Sequence, residues 1–378
     1  GAETVLRVLQ KRPSPDTAFC IGKGKAEELS LRCQAVQADL VIFDEVLSGV
    51  MQKNLEEVLH IKVVDRTALI LDIFAARAST REGKLQVEMA QLKYRSQRLL
   101  GQGLVLSRLA GGIGTRGPGE SKLEVNRRRI RERLTDLRRE LDEMEKQRTL
   151  RRQSREKGGV PVVALVGYTN AGKSTLLNAL TDASVLAEDM LFATLDPVVR
   201  QAELPNGTEV LISDTVGFIN KLPHDLVEAF RSTLEEAANA DIILHVVDRS
   251  SPYYESQMAV VEDVLSKLGA LDIPRINVYN KCDLTDERTP NDGVFISAAK
   301  GIGIDELLEQ IESRINSGRL EVDVVVPYDR YEAMNIIRAE GRILKEDHQG
   351  DGAHLKIQIN ETALWKLKRM LGEGYGQN

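Results

Sequence analysis

Short apolar segments alternate with longer segments of helical period over residues 1–79. The apolar segments TVLRVLQ, DLVIFD and IKVVD have the length of strands, and GKAEELSLRCQAV and SGVMQKNLEEVL have the period of helices. Strands that alternate with helices typically form a parallel sheet. The pattern therefore predicts a small parallel α/β subdomain over residues 1–79.

Heptad spacing replaces this pattern over residues 80–157. Leu85, Met89 and Leu92 are spaced by four and three residues, and the same spacing continues in a longer series formed by Ile130, Leu134, Leu137, Leu141 and Met144. An apolar stripe of this kind packs against a partner helix. We therefore expect a long antiparallel helical hairpin, whose second helix of roughly 28 residues would be about 40 Å long.

A third pattern begins after Gly158, Gly159 and Pro161, which interrupt the second helix. The segment VVALVG is continuously apolar, as in a buried parallel strand, and EVLISDTVG, DIILHVVD and RINVYNK supply further strands. This predicts a doubly wound α/β domain over residues 158–318. Residues 319–378 combine strand-like LEVDVVVP and HLKIQI with helical YEAMNIIRAEG and ETALWKLKRML, which predicts a small C-terminal α/β domain.

Positive charge is concentrated in the predicted hairpin. From Arg77 to Lys157 there are 22 Lys and Arg residues against 11 Asp and Glu, whereas the whole chain of 378 residues has a net charge of −6. An acidic protein with one strongly basic segment favours a localised anionic partner such as nucleic acid, with Arg127, Arg128 and Arg129 as candidate contacts. The alternative is that these arginines only form a solvated helix face.

Composition argues against several classes of protein. No apolar run approaches the ~18 residues that a membrane span needs, and no signal-peptide pattern opens the chain. The cysteines Cys20, Cys33 and Cys282 are isolated, which is neither a metal-binding spacing nor a disulfide framework. We therefore expect a cytoplasmic, monomeric protein that does not bind a membrane.

The segment GYTNAGKS, from Gly167 to Ser174, follows the strand VVALV and precedes a helical pattern. It fits G-x-x-x-x-G-K-[ST], whose backbone N–H groups surround phosphate oxygens at a helix N-terminus. Lys173 would contact the β- and γ-phosphates, and Ser174 would bind Mg²⁺ through its hydroxyl. The motif therefore predicts a site for a nucleoside triphosphate.

Three later motifs indicate magnesium and guanine. Asp214 in DTVG would hold Mg²⁺ through a water molecule, and the N–H of Gly217 would meet the γ-phosphate. Asp283 in NKCD can accept from N1–H and the exocyclic amine of guanine, a donor pair that adenine lacks, and Ala298 in SAAKG would place its N–H at guanine O6. GTP and GDP are thus the expected ligands. The candidate contacts with the nucleotide are Gly167, Tyr168, Thr169, Asn170, Ala171, Gly172, Lys173, Ser174, Thr175, Phe192, Ala193, Thr194, Leu195, Asp196, Asp214, Thr215, Val216, Gly217, Asn280, Lys281, Cys282, Asp283, Ser297, Ala298 and Ala299.

The segment LFATLDP is the candidate for a loop that responds to the nucleotide. Thr194 can ligate Mg²⁺ only when the γ-phosphate is present, which would order the loop in the GTP state. Thr181, Thr208 and a plain surface role are the alternatives. The candidate metal ligands are Ser174, Thr194 and Asp214, the last through water.

The residue after DTVG is Phe218, where many GTPases have a glutamine that orients the attacking water. A phenyl ring cannot hydrogen-bond water, so no catalytic side chain is assigned here. The backbone of Gly217 and the ammonium of Lys173 are the remaining catalytic candidates. We expect slow intrinsic hydrolysis that a macromolecular partner stimulates.

Asn170 either helps to hold K⁺ beside the phosphates or only shapes the loop.

The segment GGIGTRGPGES contains Gly112, Gly114 and Gly117 in the spacing of a dinucleotide-binding turn. Such a turn must leave a strand and open a helix, whereas this segment follows a helix, so we reject the match. One interpretation of its glycines is turn geometry at the end of the hairpin. The other is close approach to RNA, with Arg116 as a phosphate or base contact.

The motifs GGIGTRGPGES, GYTNAGKST, LFATLDP and DTVGFINKLPHDLVEAF, with VVDRTALILDIFAARA and EGKLQVEMAQL, resemble those of the HflX family of GTPases. The resemblance implies a ribosome-associated GTPase that acts on the large subunit and splits or rescues stalled ribosomes under stress. It also implies that the tip of the hairpin reaches toward the peptidyl transferase centre and its rRNA. The alternative is a regulatory RNA-binding module that uses GTP as a ligand with negligible turnover.

Overall fold

The computed structural model describes residues 2–109, 122–156, 160–181, 198–220, 237–285, 292–316, 319–330 and 332–360, with 364, 367, 368, 370, 371, 376 and 377 of the final segment. These residues divide into two compact units, one that ends at Met144 and one that begins at Glu145. Within these ranges no helix is long and apolar enough to cross a membrane.

The first unit opens with a two-stranded parallel sheet and three helices. The elements are α1 (Lys23–Ala35), β1 (Leu40–Phe43), α2 (Gly49–Leu59), β2 (Lys62–Asp65) and α3 (Arg66–Arg77). β1 pairs with β2 in parallel, and Ala26, Leu55 and Val63 are fully buried in the core between the elements. The predicted alternation of strands and helices is confirmed from residue 23 to residue 65.

The predicted strand TVLRVLQ is wrong. Residues 4–10 belong to no strand, and Val5 and Leu9 are 53% and 81% exposed. Val8 packs against the core, but the segment pairs with no other strand in the described part of the chain. An isolated apolar segment lacks the cross-strand hydrogen bonds and side-chain pairs that stabilise a strand.

Two long helices follow, α4 (Arg81–Leu109) and α5 (Lys122–Glu156). They are antiparallel, because Glu88 pairs with Arg133 whereas the earlier Arg81 pairs with the later Glu140. The predicted apolar stripe is the least exposed face of α5: Leu137 is fully buried, and Ile130, Leu134, Leu141 and Met144 are half-buried. α5 has 35 residues, more than expected, because the segment KLEVNRRR before the stripe consists mainly of strong helix formers.

A six-stranded sheet forms the centre of the second unit. Its strands are β3 (Val162–Gly167), β4 (Val198–Glu203), β5 (Glu209–Asp214), β6 (Ile242–Asp248), β7 (Arg275–Asn280) and β8 (Gly293–Phe295). Their order is β4-β5-β3-β6-β7-β8, and among them only β4 is antiparallel to its neighbour. The strand order reverses beside β3, and ligands of open α/β sheets bind at such a point, outside the carboxyl ends of the strands.

In the described ranges of this domain, three helices accompany the sheet: α6 (Lys173–Leu180), α7 (Tyr254–Lys267) and α8 (Ile304–Asn316). Leu176 and Leu177 of α6 and Leu307 of α8 are fully buried in the same core as the strands. The predicted doubly wound α/β fold is confirmed, although β4 and β8 lie outside the strands that the sequence pattern predicts. Because the strands and helices share one core, the carboxyl ends of the strands have fixed positions, and the polar sequence motifs begin at these ends.

The C-terminal residues form an antiparallel sheet. Its strands are β9 (Arg319–Val326), β10 (Gly341–Gln349), β11 (Gly352–Asn360) and β12 (Gly376–Gln377), in the order β10-β11-β9-β12. The helix α9 (Ala333–Glu340) shares a core with β9 and β11. The sequence pattern does not predict β10, because this edge strand is exposed from Leu344 to Gln349 and lacks an alternating apolar pattern.

Candidate nucleotide-binding site

The phosphate motif occupies the turn between β3 and α6. Gly167 is the last residue of β3, and Lys173 begins α6. Gly172 has a left-handed backbone with φ of +94°, and a Cβ added to it would lie 2.2 Å from Nδ2 of Asn280. Position 172 therefore requires glycine both for its backbone conformation and for the close approach of Asn280.

Lys173 is buried inside this turn, with 6% of its surface exposed. Its Nζ donates to the carbonyl oxygens of Gly167 and Tyr168 at 3.1 and 3.2 Å. Burial lowers the pKa of Lys173 below its usual value, and the Asp214 carboxylate opposes this shift. An ammonium held in a turn of backbone N–H groups is suited to bind a polyphosphate.

Ser174 and Asp214 form the part of the site that fits a divalent cation. The Oγ of Ser174 donates to Oδ2 of Asp214 at 2.7 Å, and Asp214 is fully buried at the end of β5. A hydroxyl and a carboxylate are the oxygen ligands that Mg²⁺ prefers. The hydroxyl of the neighbouring Thr215 instead donates to the carbonyl of Leu165 at 2.7 Å, so this side chain holds β5 to β3.

The segment after Asp214 lies against the phosphate turn. A Cβ added to Gly217 would lie 2.8 Å from Cα of Thr169 and 3.2 Å from Nζ of Lys173. The side chain of Phe218 is 2% exposed. The ring therefore belongs to the hydrophobic interior, and it offers no hydrogen bond to an attacking water molecule.

The side-chain amide of Asn280 joins three of the motifs. Its Nδ2 donates to the carbonyl of Ala171 at 2.9 Å, and its Oδ1 accepts from the N–H of Ala298 at 3.0 Å. Asn280 is 3% exposed, so water competes little for these hydrogen bonds. The structure thus brings GYTNAGKS, NKCD and SAAKG together at one edge of the sheet.

The side chains that follow Asn280 have partners of their own. Lys281 donates to the carbonyl of Asn170 at 3.0 Å and to Oδ2 of Asp248 at 2.7 Å. Cys282 is buried, and its N–H donates to the carbonyl of Ile296 at 3.0 Å.

Asp283 carries the carboxylate that the guanine motif requires. The nearby Ser297 hydroxyl and Lys300 ammonium hold the pKa of Asp283 below its usual value, and Nζ of Lys300 lies 3.0 Å from Oδ2 of Asp283. This carboxylate is therefore charged at neutral pH, as an acceptor for two guanine donors must be. Ser297 is almost fully buried, whereas Ala299 is exposed.

Two residues of this arrangement, Asp248 and Lys300, are absent from the contacts that the sequence predicts. Asp248 ends β6 at the same edge of the sheet as the motifs, and this position at a strand end is the signal that would have identified it. Lys300 directly follows the predicted segment of Ser297, Ala298 and Ala299, and its role depends on the spatial proximity of Asp283.

Other predicted residues lie outside the described part of the chain. They are the loop candidates Phe192, Ala193, Thr194, Leu195 and Asp196 and the hairpin-tip candidates Gly112, Gly114, Arg116 and Gly117. On α5, Arg129 is exposed, Arg127 is half-buried, and Arg128 lies 3.9 Å from Glu132. Thr175 lies in the first turn of α6, and Val216 is buried beside Gly217.

The phosphate turn follows the first strand of a doubly wound sheet, and Asp214 lies at the end of a neighbouring strand. The guanine motif lies at the end of a further strand. Together these features define a P-loop GTPase. Family models cover nearly the whole chain: GTP-binding GTPase N-terminal over residues 1–75, GTP-binding GTPase middle region over 77–155, 50S ribosome-binding GTPase over 162–281 and HflX C-terminal domain over 285–378.

Individual relatives agree with these matches. GTPase HflX of Caldanaerobacter subterraneus is 54% identical over 98% of this chain and 87% of its own length. GTPase HflX of Escherichia coli is 44% identical over 84% of this chain and 76% of its own length. The chain therefore belongs to the HflX family of GTPases. A solved GTP-binding protein from Sulfolobus solfataricus in complex with GDP is 23% identical, with a TM-score of 0.44 over 81% of this chain and 89% of that chain.

Proposed function

We propose that this protein binds GTP and GDP at the site around Lys173 and hydrolyses GTP on the large ribosomal subunit. The observation that carries the proposal is the Asn280 amide, which brings the phosphate turn and the two guanine motifs together. In this proposal the phosphate turn and Lys173 bind the phosphates, Asp283 selects guanine, and Ala298 meets guanine O6.

Magnesium completes the proposed site. Ser174 and Asp214 would hold the ion, Asp214 through water, and Thr194 would join them in the GTP state. The ion would neutralise charge on the phosphates. The chain's own contribution is to fix the phosphates between the backbone N–H groups, Lys173 and the N–H of Gly217, because phosphoryl transfer is catalysed mainly by positioning and electrostatics.

Slow hydrolysis without a partner follows from the environment of Phe218. Its ring is buried, and it stands where many GTPases have the glutamine that orients the attacking water. We expect the ribosome to complete the site and stimulate hydrolysis. Asn170, whose carbonyl is held by Lys281, is the candidate for a K⁺ contact beside the phosphates.

The proposed partner is the large subunit, and the proposed outcome is splitting or rescue of stalled ribosomes under stress. Two findings support it: the basic helices α4 and α5, and the match to the 50S ribosome-binding GTPase model. In the proposed arrangement residues 1–79, 80–157, 158–318 and 319–378 are four domains of a cytoplasmic monomer. The tip of the hairpin would approach rRNA near the peptidyl transferase centre.

A passive role is the alternative that the sequence leaves open, and the buried ring of Phe218 is compatible with both candidates. In that case the protein would be an RNA-binding module that requires GTP as a ligand but turns it over negligibly. GTP turnover distinguishes the two candidates. Both predict GTP binding, and only the first predicts stimulation by ribosomes.

The test measures phosphate release by the purified full chain, alone and with large ribosomal subunits, in K⁺ and in Na⁺ buffers. We expect subunits to accelerate turnover by about tenfold or more, which corresponds to a barrier lower by about 1.4 kcal/mol or more. Absence of stimulation would favour the passive binder, and turnover of several per second without subunits would contradict the need for a partner. Equal rates in K⁺ and Na⁺ would remove the cation contact of Asn170.

A further inference from the structure

Tyr168 belongs to the phosphate turn, yet its side chain contacts the segment that follows DTVG. Its hydroxyl accepts a hydrogen bond from the backbone N–H of Asn220 at 3.1 Å. The phosphate motif accepts any residue at this position, so binding of the phosphates does not explain a tyrosine here. The hydroxyl instead connects two segments that are separated by about fifty residues in the sequence.

Backbone pairing connects the same two segments. β3 pairs with β5 as far as Leu165 and Asp214, and pairing resumes at Tyr168 and Phe218. From the first pair to the second, the chain advances by three residues on the side of Tyr168 and by four residues on the side of Phe218. The second pair is therefore shifted by one residue. The N–H of Phe218 donates to the carbonyl of Gly167 at 3.1 Å, and the N–H of Thr169 donates to the carbonyl of Phe218 at 2.7 Å.

Gly217 lies in the shifted part of this pairing. A Cβ added to it would come within 3.2 Å of Nζ of Lys173 and within 2.8 Å of Cα of Thr169. In the sequence Gly217 lies between the buried Asp214 and Phe218, whose backbone is hydrogen-bonded to the phosphate turn. The hydrogen bond between Tyr168 and Asn220 adds a third attachment beyond Phe218 and limits the movement of the segment away from the phosphate turn.

We propose that Tyr168 is a positioning residue that favours GTP over GDP, because it holds Gly217 where the γ-phosphate binds. This inference rests on the proposed function of the site. Only a triphosphate reaches Gly217, whereas GDP contacts the phosphate turn and the guanine motifs. Holding Gly217 in place before binding reduces the ordering cost for the triphosphate alone.

The test replaces Tyr168 with phenylalanine, which removes the hydroxyl and keeps the ring. The dissociation constants of GDP and of a non-hydrolysable GTP analogue are measured with Mg²⁺ on the full chain. We expect affinity for the analogue to fall by about two- to twelvefold, the equivalent of one net hydrogen bond, and affinity for GDP to stay within about twofold.

Tyr328→Phe is the matched control. It also removes a tyrosine hydroxyl that bonds to the backbone, here as a donor to the carbonyl of Gln349 at 3.0 Å in the C-terminal sheet. We expect this variant to change neither dissociation constant. Equal losses for GDP and the analogue in Tyr168→Phe would assign the hydroxyl a structural role and overturn the proposal, as would an unchanged or higher affinity for the analogue. A wild-type protein that binds neither nucleotide would instead overturn the proposed function of the site.

Discussion

His245 lies on β6, in the middle of the six-stranded sheet, and is 1% exposed. Burial lowers its pKa from 6.5 to about 4, and the positive charges of Arg275 and Lys173 act in the same direction. The imidazole is therefore neutral in the folded protein at neutral pH. In the unfolded chain it would accept a proton near its usual pKa, so acid favours unfolding through this residue.

The free energy of unfolding should therefore decrease as the pH falls from about 6.5 toward 4. Between pH 7 and pH 4.5 this one residue should account for a loss of about 2 to 3 kcal/mol. Urea denaturation of the wild type and of His245→Asn at both values of pH measures the contribution, and the variant should lose less stability by this amount. The exposed His348→Asn is the control and should follow the wild type. Equal losses in all three proteins would show that His245 is not protonated on unfolding in this range.

The sequence predicts that GYTNAGKS, DTVG and NKCD lie at strand ends, because each of these short motifs specifies a backbone turn there. It does not predict Asp248, Lys300 or the hydrogen bond of Tyr168, since their partners Lys281, Asp283 and Asn220 become neighbours only in the folded sheet. Pairwise contacts of this kind have no local pattern in a single sequence.

At the scale of elements, Asp65 joins β2, α3 and α4. The residue is fully buried, and its Oδ1 accepts from the N–H of Ala68 at 2.9 Å and from the hydroxyl of Tyr94 at 2.6 Å. Its Oδ2 accepts from Arg98 at 2.5 Å and from the N–H of Leu47 at 3.0 Å. Burial and the Asp65 carboxylate both raise the pKa of Tyr94, so its hydroxyl remains a donor at neutral pH.

Removal of the Arg98 charge should destabilise the first unit. Arg98→Met leaves the Asp65 carboxylate buried without its cation, and the loss of one partner of a buried pair costs about 3 to 5 kcal/mol. Helix content followed during urea denaturation measures the change. Arg95→Met removes a charge from an exposed position of the same helix and should cost little. Similar midpoints for the two variants would contradict a structural role for the pair.

Elements with two buried faces or long periodic patterns are the ones that the sequence predicts. β3 and β6 are continuously apolar or nearly so, and the hairpin has its heptad stripe, whereas the pattern does not reveal β4, β8 and β10. These three strands lie at the edges of their sheets, where fewer side chains are buried and alternation is weak. The segment TVLRVLQ has an apolar pattern but forms no strand, because such a pattern forms a strand only when a partner strand lies beside it.

At the scale of the whole molecule, charge separates the hairpin from the rest of the chain. The excess of Lys and Arg between Arg77 and Lys157 contrasts with the net charge of −6 for the complete sequence. Part of this charge is paired within the hairpin, as in the pair of Arg133 with Glu88 at 2.7 Å. Such a distribution suits a molecule that brings one basic segment to RNA while the remainder is repelled.

Replacement of Arg127, Arg128 and Arg129 with alanine should weaken binding to the large subunit and flatten its dependence on salt. For each phosphate that an arginine no longer neutralises, the slope of log affinity against log salt decreases by about one unit. Sedimentation of the full chain with subunits at several KCl concentrations measures the slope. A triple alanine variant of Lys267, Arg275 and Arg314 changes the net charge equally in the second unit and should bind as the wild type does. An unchanged slope in the hairpin variant would mean that these arginines are only a solvated helix face.

Asn280 has a further consequence for how the proposed ligand is recognised. Its amide donates to the loop that would surround the phosphates and accepts from the loop that would surround the base. Ordering of either loop therefore favours ordering of the other, as expected for linked hydrogen bonds in a buried network. The base and the phosphates of a nucleotide would therefore bind cooperatively. The binding free energies of guanine alone and of a polyphosphate alone would add up to less than the binding free energy of the whole nucleotide.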